Sequence, residues 1–325
     1  MSRIDEMRKR TADRIDEMRA QLKSRMDALA SRTADCEAAL SAKLGGAEAA
    51  VAAEPRGEAL PARSVWDGNG PMRKLALCAG LNRVDEFAYQ GRNIKPLSGC
   101  IVDAQRFKCV LDRLGFGVSL LADNQATCAA VFRRLREAAG VLEPGDLFVF
   151  HISGHGGREE VAGKMQESWY LYDGCVWGKE IVWAFSQFKR GVRILVINDQ
   201  CHSGGIFQPK FTRTAPDVVL RCGRDAPPAG WDAAAAADSS DFPMLIQFAG
   251  CRAEQCSIDG LGGGSWTQSL VNALDEAAAC GVMYTYRSWF NKAFCSPTLH
   301  RGSQDPQWVE MGPVSPAFRN MPALM

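Results

Sequence analysis

The sequence predicts an α/β protein whose mostly parallel sheet is flanked by helices on both faces. Strand-like and helix-like segments alternate from residue 73 onward, an order typical of parallel sheets. The predicted strands are continuous apolar runs, such as VRILVIND (192–199), which indicates burial on both faces of a sheet. Two of these runs end in polar residues and glycines. That is the sheet edge where parallel α/β proteins place their ligands and their chemistry.

The composition excludes several classes of protein. The 325 residues carry a formal net charge of +1, so charge does not favour nucleic acid or an anionic membrane as partner. No apolar run approaches the roughly 18 residues of a membrane span, and the N-terminal MSRIDEMRKR has no signal-peptide core. The twelve cysteines lack the spacing of a zinc site or a disulfide scaffold, so we expect most to be reduced. These features predict a cytoplasmic protein with no nucleic-acid and no membrane partner.

An eleven-residue repeat predicts a helical extension over residues 1–50. The repeats are RIDEMRKRTAD (3–13), RIDEMRAQLKS (14–24) and RMDALASRTAD (25–35). Eleven residues are close to three helical turns, so the apolar positions form one stripe along the helix. We expect this helix either to self-associate through residues 1–44 or to dock within the chain. An Ala-, Pro- and Gly-rich linker is predicted at 51–72.

The elements that follow are predicted from apolar runs, amphipathic spacing and helix stop signals. Strands are expected at 74–81, 117–123, within 145–157 before a glycine-rich loop, at 192–199 and at 242–250. Helices are expected at 99–115, at 127–140 with Thr127 as its N-cap, and at 265–281 with Ser265 as its N-cap. The stretch 212–241 contains Pro227-Pro228 and five consecutive alanines, and it is predicted to be an exposed connecting loop.

Two strand ends carry a histidine and a cysteine that suit nucleophilic catalysis. His155 lies in SGHGG, and Cys201 follows another strand. A cysteine nucleophile needs a base that takes its proton and later protonates a leaving amine, and a histidine that titrates near neutrality serves both purposes. The backbone N–H groups of Gly156 and Cys201 are the expected oxyanion donors, because a glycine permits close approach of bare backbone.

The motifs HISGHGG and NDQCHSGG resemble the catalytic His and Cys motifs of caspase-like cysteine peptidases, most closely the metacaspases and their bacterial relatives, the orthocaspases. The resemblance covers residues 73–210 well and 242–281 more loosely. It implies a caspase-like fold with a large catalytic segment at 73–211 and a small segment with a C-terminal tail at 242–325. It also implies a cysteine endopeptidase that acts through a Cys-His dyad and an acyl-enzyme intermediate.

The resemblance further implies the specificity of the substrate pocket. Asp199 replaces the neutral residue that caspases carry two positions before the nucleophile, and Asp103 falls where metacaspases place a second pocket acid. Ser153 matches the pocket serine of that family, and Cys100 lies three residues before Asp103. Two carboxylates in a small pocket favour a cation and repel an aspartate. The expected substrates are therefore proteins or peptides with Arg or Lys at P1.

Several of these residues also have purely structural interpretations. Asp103 could be a charged residue on a helix face, and Cys100 could be part of the core. His202, beside the nucleophile, is not expected to be the base, because adjacent side chains of an extended chain point apart. His151 is expected to be a satisfied core histidine.

The loop 249–264 and the helix after it raise a similar choice for three other residues. Trp266 could line the substrate groove, although packing is an equally good interpretation. Glu254 and Asp259 are either acidic neighbours of the groove or solvated loop charges, and the solvated interpretation is favoured.

The proposed chemistry requires no cofactor, whereas activation by calcium stays open. Many metacaspases need calcium, which takes six to eight oxygen ligands. The acids after the histidine motif are Glu159, Glu160, Glu167 and Asp173, and the segment HSGGIFQPKF after the cysteine has none. A complete ligand set cannot be assembled from these residues. Whether the chain is a latent zymogen that processes itself at its Arg-rich linkers also stays open.

A second function of a different class is an assembly or signalling module. In that case the N-terminal helix is the working part, and the caspase-like fold has weak or no peptidase activity. Retention of His155, Cys201, Asp199 and Asp103 together argues against this alternative.

Overall fold

The computed structural model describes residues 72–89, 92–161, 164–207, 242–260, 262–299 and 303–325. They belong to one compact unit, Ser64–Met325. The predicted helical extension, its self-association and the connecting loop at 212–241 lie outside the described residues. So does the predicted linker, apart from Met72.

The core of the fold is a six-stranded sheet in the order β2-β1-β3-β7-β8-β9. All neighbouring strands pair in parallel except β8 and β9, which are antiparallel. The α/β class with a mostly parallel sheet is thus confirmed. Its strands are β1 (Lys74–Gly80), β2 (Gly117–Ala122), β3 (Leu147–Gly154), β7 (Arg193–Gln200), β8 (Met244–Ala249) and β9 (Gln307–Met311).

Helices cover both faces because side chains alternate along the buried strands. In β3, Phe148 and Phe150 belong to one core cluster, while Leu147 and Val149 belong to the other. The first cluster includes side chains of α2 (Cys128–Val141) and α3 (Gly178–Ser186). The second includes those of α1 (Cys100–Arg113), α4 (Ser265–Cys280), α5 (Tyr286–Phe294) and α6 (Pro316–Asn320). The described helices contain none that is long and apolar enough to cross a membrane.

One of the two predicted helix caps is confirmed and the other is wrong. The Thr127 side chain accepts a hydrogen bond from the Ala130 N–H at 3.1 Å, as an N-cap should. Helix α4, however, has Gly264 as its N-cap residue, without a side-chain cap. Ser265 is already helical, and its hydroxyl donates to Gln304 Oε1 at 2.6 Å. Gly264 occupies the cap position because its N–H is held by Asp103 at 2.8 Å, a long-range contact that local sequence does not reveal.

A second, three-stranded antiparallel sheet follows His155 where only a glycine-rich loop was expected. Its strands are β4 (Gly156–Val161), β5 (Lys164–Leu171) and β6 (Gly174–Trp177). Strand β4 has the sequence GGREEV, whose glycines and charges have low strand propensity, so pairing with β5 decides its conformation. His155 is therefore a single residue between two strands, and the backbone fixes it on both sides.

Candidate active site

Parallel pairing of β3 and β7 brings the two motifs together. Ser153 pairs with Asp199, and Gly154 pairs with Gln200, so His155 and Cys201 are the next residues after two neighbouring strand ends. The Gln200 side chain strengthens this link by donating from Nε2 to the His155 carbonyl at 2.6 Å. The two backbones approach most closely at Gly156, where an added Cβ would collide with the Cys201 carbonyl oxygen. A glycine is required there because the two backbones touch.

The backbone carbonyl of Lys95 orients the His155 ring. His155 Nε2 lies 2.7 Å from this oxygen. A carbonyl oxygen can only accept a hydrogen bond, so Nε2 carries the proton and Nδ1 is the basic nitrogen of the neutral imidazole. The ring is partly exposed and lies 6.5 Å from that of Tyr170, centroid to centroid. The histidine is thus held in one tautomer and remains accessible from solvent.

Cys201 is half-buried and favours the protonated thiol. Burial raises its pKa above the ordinary thiol value, and a side-chain hydrogen bond with Cys256 raises it further. A backbone hydrogen bond from Ser257 opposes these effects. The thiol therefore needs a neighbouring base before it can attack a carbonyl carbon.

The predicted pocket acids meet at the same sheet edge, where Ser153 and Asp199 pair two residues before His155 and Cys201. Asp103 comes from α1, and its Oδ2 accepts hydrogen bonds from Ser153 Oγ and the Gly264 N–H, both at 2.8 Å. Asp199 Oδ2 accepts from the backbone N–H and the hydroxyl of Thr267, both at 2.9 Å. Gly264 lies between the two acids, because a Cβ on it would contact both carboxylates.

The two carboxylates are buried together, and this controls their protonation. Asp103 is 0% exposed and Asp199 is 4% exposed. Burial, followed by the charge of Asp199, raises the pKa of Asp103 to about 8. Burial also raises the pKa of Asp199, against the lowering effect of its hydrogen bonds from Thr267. The Oδ1 atom of Asp103 is buried without a hydrogen-bond partner among the described residues. Asp103 Oδ1 can therefore accept a hydrogen bond that no described residue supplies.

Cys100 is both a core residue and a neighbour of this pocket. It is the first residue of α1, it is buried, and its thiol forms a hydrogen bond with the Ser153 side chain. Burial raises the pKa of the Cys100 thiol well above its ordinary value. Such a thiol is unreactive, so its contribution to the pocket is shape and packing.

The expectation that Asp259 is a solvated loop charge is wrong. Its carboxylate accepts hydrogen bonds from the Ser98 N–H at 2.9 Å, the Ser98 hydroxyl at 3.2 Å and the Gly99 N–H at 3.0 Å. Asp259 thereby ties the loop before α4 to the start of α1, which carries Asp103, and its charge helps to raise the pKa of Asp103. Glu254, by contrast, is exposed as expected.

The other residues singled out in the sequence have structural contacts. His151 is buried, stacks on Phe107 with 5.0 Å between ring centroids, and places Nε2 3.2 Å from the Thr267 hydroxyl. Trp266 is buried and donates from Nε1 to the Phe248 carbonyl at 3.2 Å. The packing interpretation of Trp266 is confirmed. His151 lies in the core as expected, but its Nδ1 has no hydrogen-bond partner among the described residues, so the histidine is only half satisfied.

The backbone conformation of His202 explains why it is not expected to act as the catalytic base. With φ at 61° it adopts the left-handed conformation, and its Nδ1 lies 2.8 Å from the Ala253 carbonyl. Sequence reasoning missed the site residues Lys95, Gln200 and Thr267. Lys95 and Gln200 act through a backbone oxygen and a side-chain amide, for which the sequence carries no signal.

The fold and the site define a caspase-like α/β protein with a histidine and a cysteine at adjacent strand ends beside a pair of buried acids. The Peptidase C14 family model, the caspase domain, matches residues 73–311. The chain belongs to this family.

Similar proteins agree with this assignment. Metacaspase-8 of Arabidopsis thaliana is 29% identical over 157 residues, which cover 42% of this chain and 39% of the relative. Inactive metacaspase-4 of Trypanosoma brucei brucei is 29% identical over 136 residues, which cover 36% of this chain and 38% of the relative. The chain thus spans about two fifths of the length of these curated relatives. The crystal structure of a Geobacter sulfurreducens protein has a TM-score of 0.62 and 26% identity, covering 78% of this chain and 98% of that one.

Proposed function

We propose that the protein is a cysteine endopeptidase that cleaves peptide bonds after Arg or Lys. The observation that carries this proposal is the arrangement of Asp103 and Asp199. Both carboxylates are buried at the sheet edge that carries His155 and Cys201. Buried acids are costly unless they have a partner, and no cation of the described chain bonds to either one. A guanidinium or ammonium group of a substrate is the missing partner.

The reaction starts with a proton transfer from Cys201 to Nδ1 of His155. The thiolate then attacks the carbonyl carbon of the scissile bond, and the backbone N–H groups of Gly156 and Cys201 stabilise the resulting oxyanion. The imidazolium gives its proton to the departing amine, which leaves a thioester on Cys201. His155 next removes a proton from water, and the hydroxide releases the carboxylic acid product. The Lys95 carbonyl supports both transfers, because its bond to Nε2 keeps Nδ1 directed to the chemistry.

Recognition of the P1 side chain rests on charge. A cation beside Asp103 lowers the pKa of this acid from its value of about 8, so the acid loses its proton as substrate binds. An aspartate at P1 would add a third carboxylate to the cluster and would be rejected. Ser153 and Gly264 hold Asp103 in place through its Oδ2, which leaves its Oδ1 to the substrate.

The burial of both acids supports a latent form of the enzyme. A Cβ on Gly263 would collide with Asp103 Oδ1, so the glycine-rich loop before α4 covers the atom that the substrate must reach. This loop has to shift before P1 can enter. A zymogen opened by cleavage or by a partner fits this arrangement.

None of the steps uses a metal or a cofactor, and calcium would act only on the conformation of the protein. A cytoplasmic location and Arg- or Lys-containing protein substrates complete the proposal.

The test measures turnover of fluorogenic peptides that end in Arg, Lys or Asp, using the full chain. We expect Cys201→Ala and His155→Ala to lower kcat by at least about a thousandfold, as losses of a nucleophile or its base do elsewhere. The matched controls are Cys109→Ala, an exposed cysteine of α1, and His202→Ala. Both controls should keep their turnover of Arg and Lys peptides. Equal turnover in Cys201→Ala and wild type would refute the proposal.

A further inference from the structure

A second cysteine faces the nucleophile from the loop that follows β8. Cys256 is exposed and Cys201 is half-exposed, and the two lie on neighbouring segments of chain. The backbone N–H of His202, directly after the nucleophile, donates to the Gln255 carbonyl, directly before Cys256, at 2.8 Å. On one side of the pair the two segments are therefore joined by a backbone hydrogen bond.

The other side of the pair is joined as well. The hydroxyl of Ser257, directly after Cys256, donates to the carbonyl of Gln200, directly before Cys201, at 3.3 Å. Cys201 is the central residue of segment 200–202, and Cys256 is the central residue of segment 255–257. The residues on either side of Cys201 are hydrogen-bonded to the residues on either side of Cys256. Contacts on both sides of the pair hold the two segments against each other, and a disulfide requires Cα atoms about 4.4–6.8 Å apart. Consistent with this placement, a side-chain hydrogen bond joins the two thiols.

A third cysteine in the region has a different role. Cys251 is fully buried, and its Sγ bonds to the carbonyls of Gln200 and Gln255 at 3.4 Å and 3.2 Å. Burial raises the pKa of its thiol. Cys251 therefore braces the two segments, whereas Cys256 combines exposure with a position opposite the nucleophile.

We propose that Cys256 is the redox partner of Cys201: a peroxide joins the two residues in a disulfide that blocks the nucleophile, and a dithiol restores it. The blocking effect rests on the function proposed above, whereas formation of the bond does not. Because hydrogen bonds already join the two segments on both sides of the pair, we expect the disulfide to form by rotation of the two side chains without a large movement of the loop.

The chemistry balances with one equivalent of peroxide. The exposed sulfur of Cys256 attacks one peroxide oxygen, the O–O bond breaks, and the products are a sulfenic acid and one water. The sulfur of Cys201 then attacks the Cys256 sulfur, and the departing hydroxyl takes the Cys201 proton to form a second water. Two thiols and one hydrogen peroxide thus give one disulfide and two waters. A dithiol such as dithiothreitol supplies the two electrons for the reverse step.

The bond itself is tested by mass spectrometry on the full chain. Trypsin places Cys201 on peptide 194–210 and Cys256 on peptide 253–287, while Cys251 lies before the cleavage site at Arg252. Cys280 shares the second peptide, so the background variant is Cys280→Ser, which also removes an exposed thiol as a matched control. After a small molar excess of hydrogen peroxide, we expect the crosslinked pair 194–210 with 253–287 in this background. It should disappear in Cys280→Ser/Cys256→Ser.

The block is tested by recovery of turnover. Peroxide should lower cleavage of an Arg peptide by at least about tenfold in wild type and in Cys280→Ser, and dithiothreitol should restore it in both. In Cys256→Ser and Cys256→Ala the disulfide cannot form, so the turnover lost to direct oxidation of Cys201 ends at the sulfinic acid and dithiothreitol should restore little of it. Equal recovery in the Cys256 variants, or a crosslink from Cys251 instead, would overturn the inference. A 201–256 crosslink in a chain whose peptide turnover persists in Cys201→Ala would support the bond and refute the proposed function.

Discussion

Asp103→Asn separates the charge of the pocket from its shape. An asparagine has nearly the same size, and its amide oxygen can accept the two hydrogen bonds that Ser153 Oγ and the Gly264 N–H now donate to Oδ2. The change removes the carboxylate whose free oxygen is proposed to bind the P1 cation. We therefore expect the variant to fold and to lose its preference for Arg and Lys.

The size of the loss follows from the type of contact. A hydrogen bond to a charged partner contributes about 1.5–3 kcal/mol. At about 1.4 kcal/mol for each factor of ten, kcat/KM for an Arg peptide should fall about 10- to 100-fold. A peptide with citrulline at P1 keeps the shape of arginine without its charge. Its turnover should change less than about threefold, because a neutral side chain gains little from a carboxylate.

The assay compares Arg and citrulline peptides with wild type, Asp103→Asn and Asp112→Asn. Asp112 is a matched control, since it lies on the same helix and its partner is Lys108 on the surface. Thermal unfolding checks the fold. The pKa of Asp103 is higher in the folded chain than in the unfolded chain, so wild type loses stability as pH rises from about 4 to about 8. Relative to wild type, Asp103→Asn should become more stable over that range. An unchanged ratio of Arg to citrulline turnover would refute the assignment of Asp103.

Four further predictions concern pH, backbone contact and calcium. The Arg-to-citrulline ratio of wild type should rise with pH up to about 8, as Asp103 ionises, and a flat profile would contradict its role. Burial lowers the pKa of His151 to about 3, so only the unfolded chain takes up a proton on this residue between pH 7 and pH 5. The free energy of unfolding, measured with denaturant, should therefore fall by about 2 kcal/mol over this range in wild type and not in His151→Gln. Gly156→Ala should lower kcat by at least about tenfold, because the added Cβ collides with the Cys201 carbonyl. Gly140→Ala is the control, since there is open space around Gly140. Equal kcat in Gly156→Ala and wild type would show that position 156 does not need a glycine. Turnover in a chelator should equal turnover in millimolar calcium, and activation by calcium would show that the conformation of the protein depends on this ion.

Much of the fold could be predicted because its signals are local. Buried parallel strands are runs of apolar residues, and the segments KLALCAG and RILVINDQ are strands β1 and β7 in the structure. The helix beginning after Thr127 was predictable for the same reason, since a capping hydroxyl bonds to a residue three positions away. Strands β4–β6 were missed because their conformation depends on pairing with one another and their residues have low or mixed strand propensity.

The candidate site divides in the same way. The positions of His155 and Cys201 at adjacent strand ends followed from two motifs and from the topology of parallel sheets. The hydrogen-bond partners of the site residues could not be predicted from these signals. Lys95 is 60 residues from His155, and Gly264 is 161 residues from Asp103. Single-sequence patterns carry no information on contacts of that range.

The sequence by itself therefore determined the α/β sheet, the edge that carries the chemistry and the residue types gathered there. Apolar periodicity and short motifs encode these features within a few residues of chain. Only the tertiary structure decided that Asp259 joins the loop before α4 to the start of α1, that Cys256 lies opposite Cys201, and that Asp103 holds its proton up to about pH 8. The physical reason is that pairing and protonation depend on burial and on charges brought close by distant segments, and these exist only once the chain has folded.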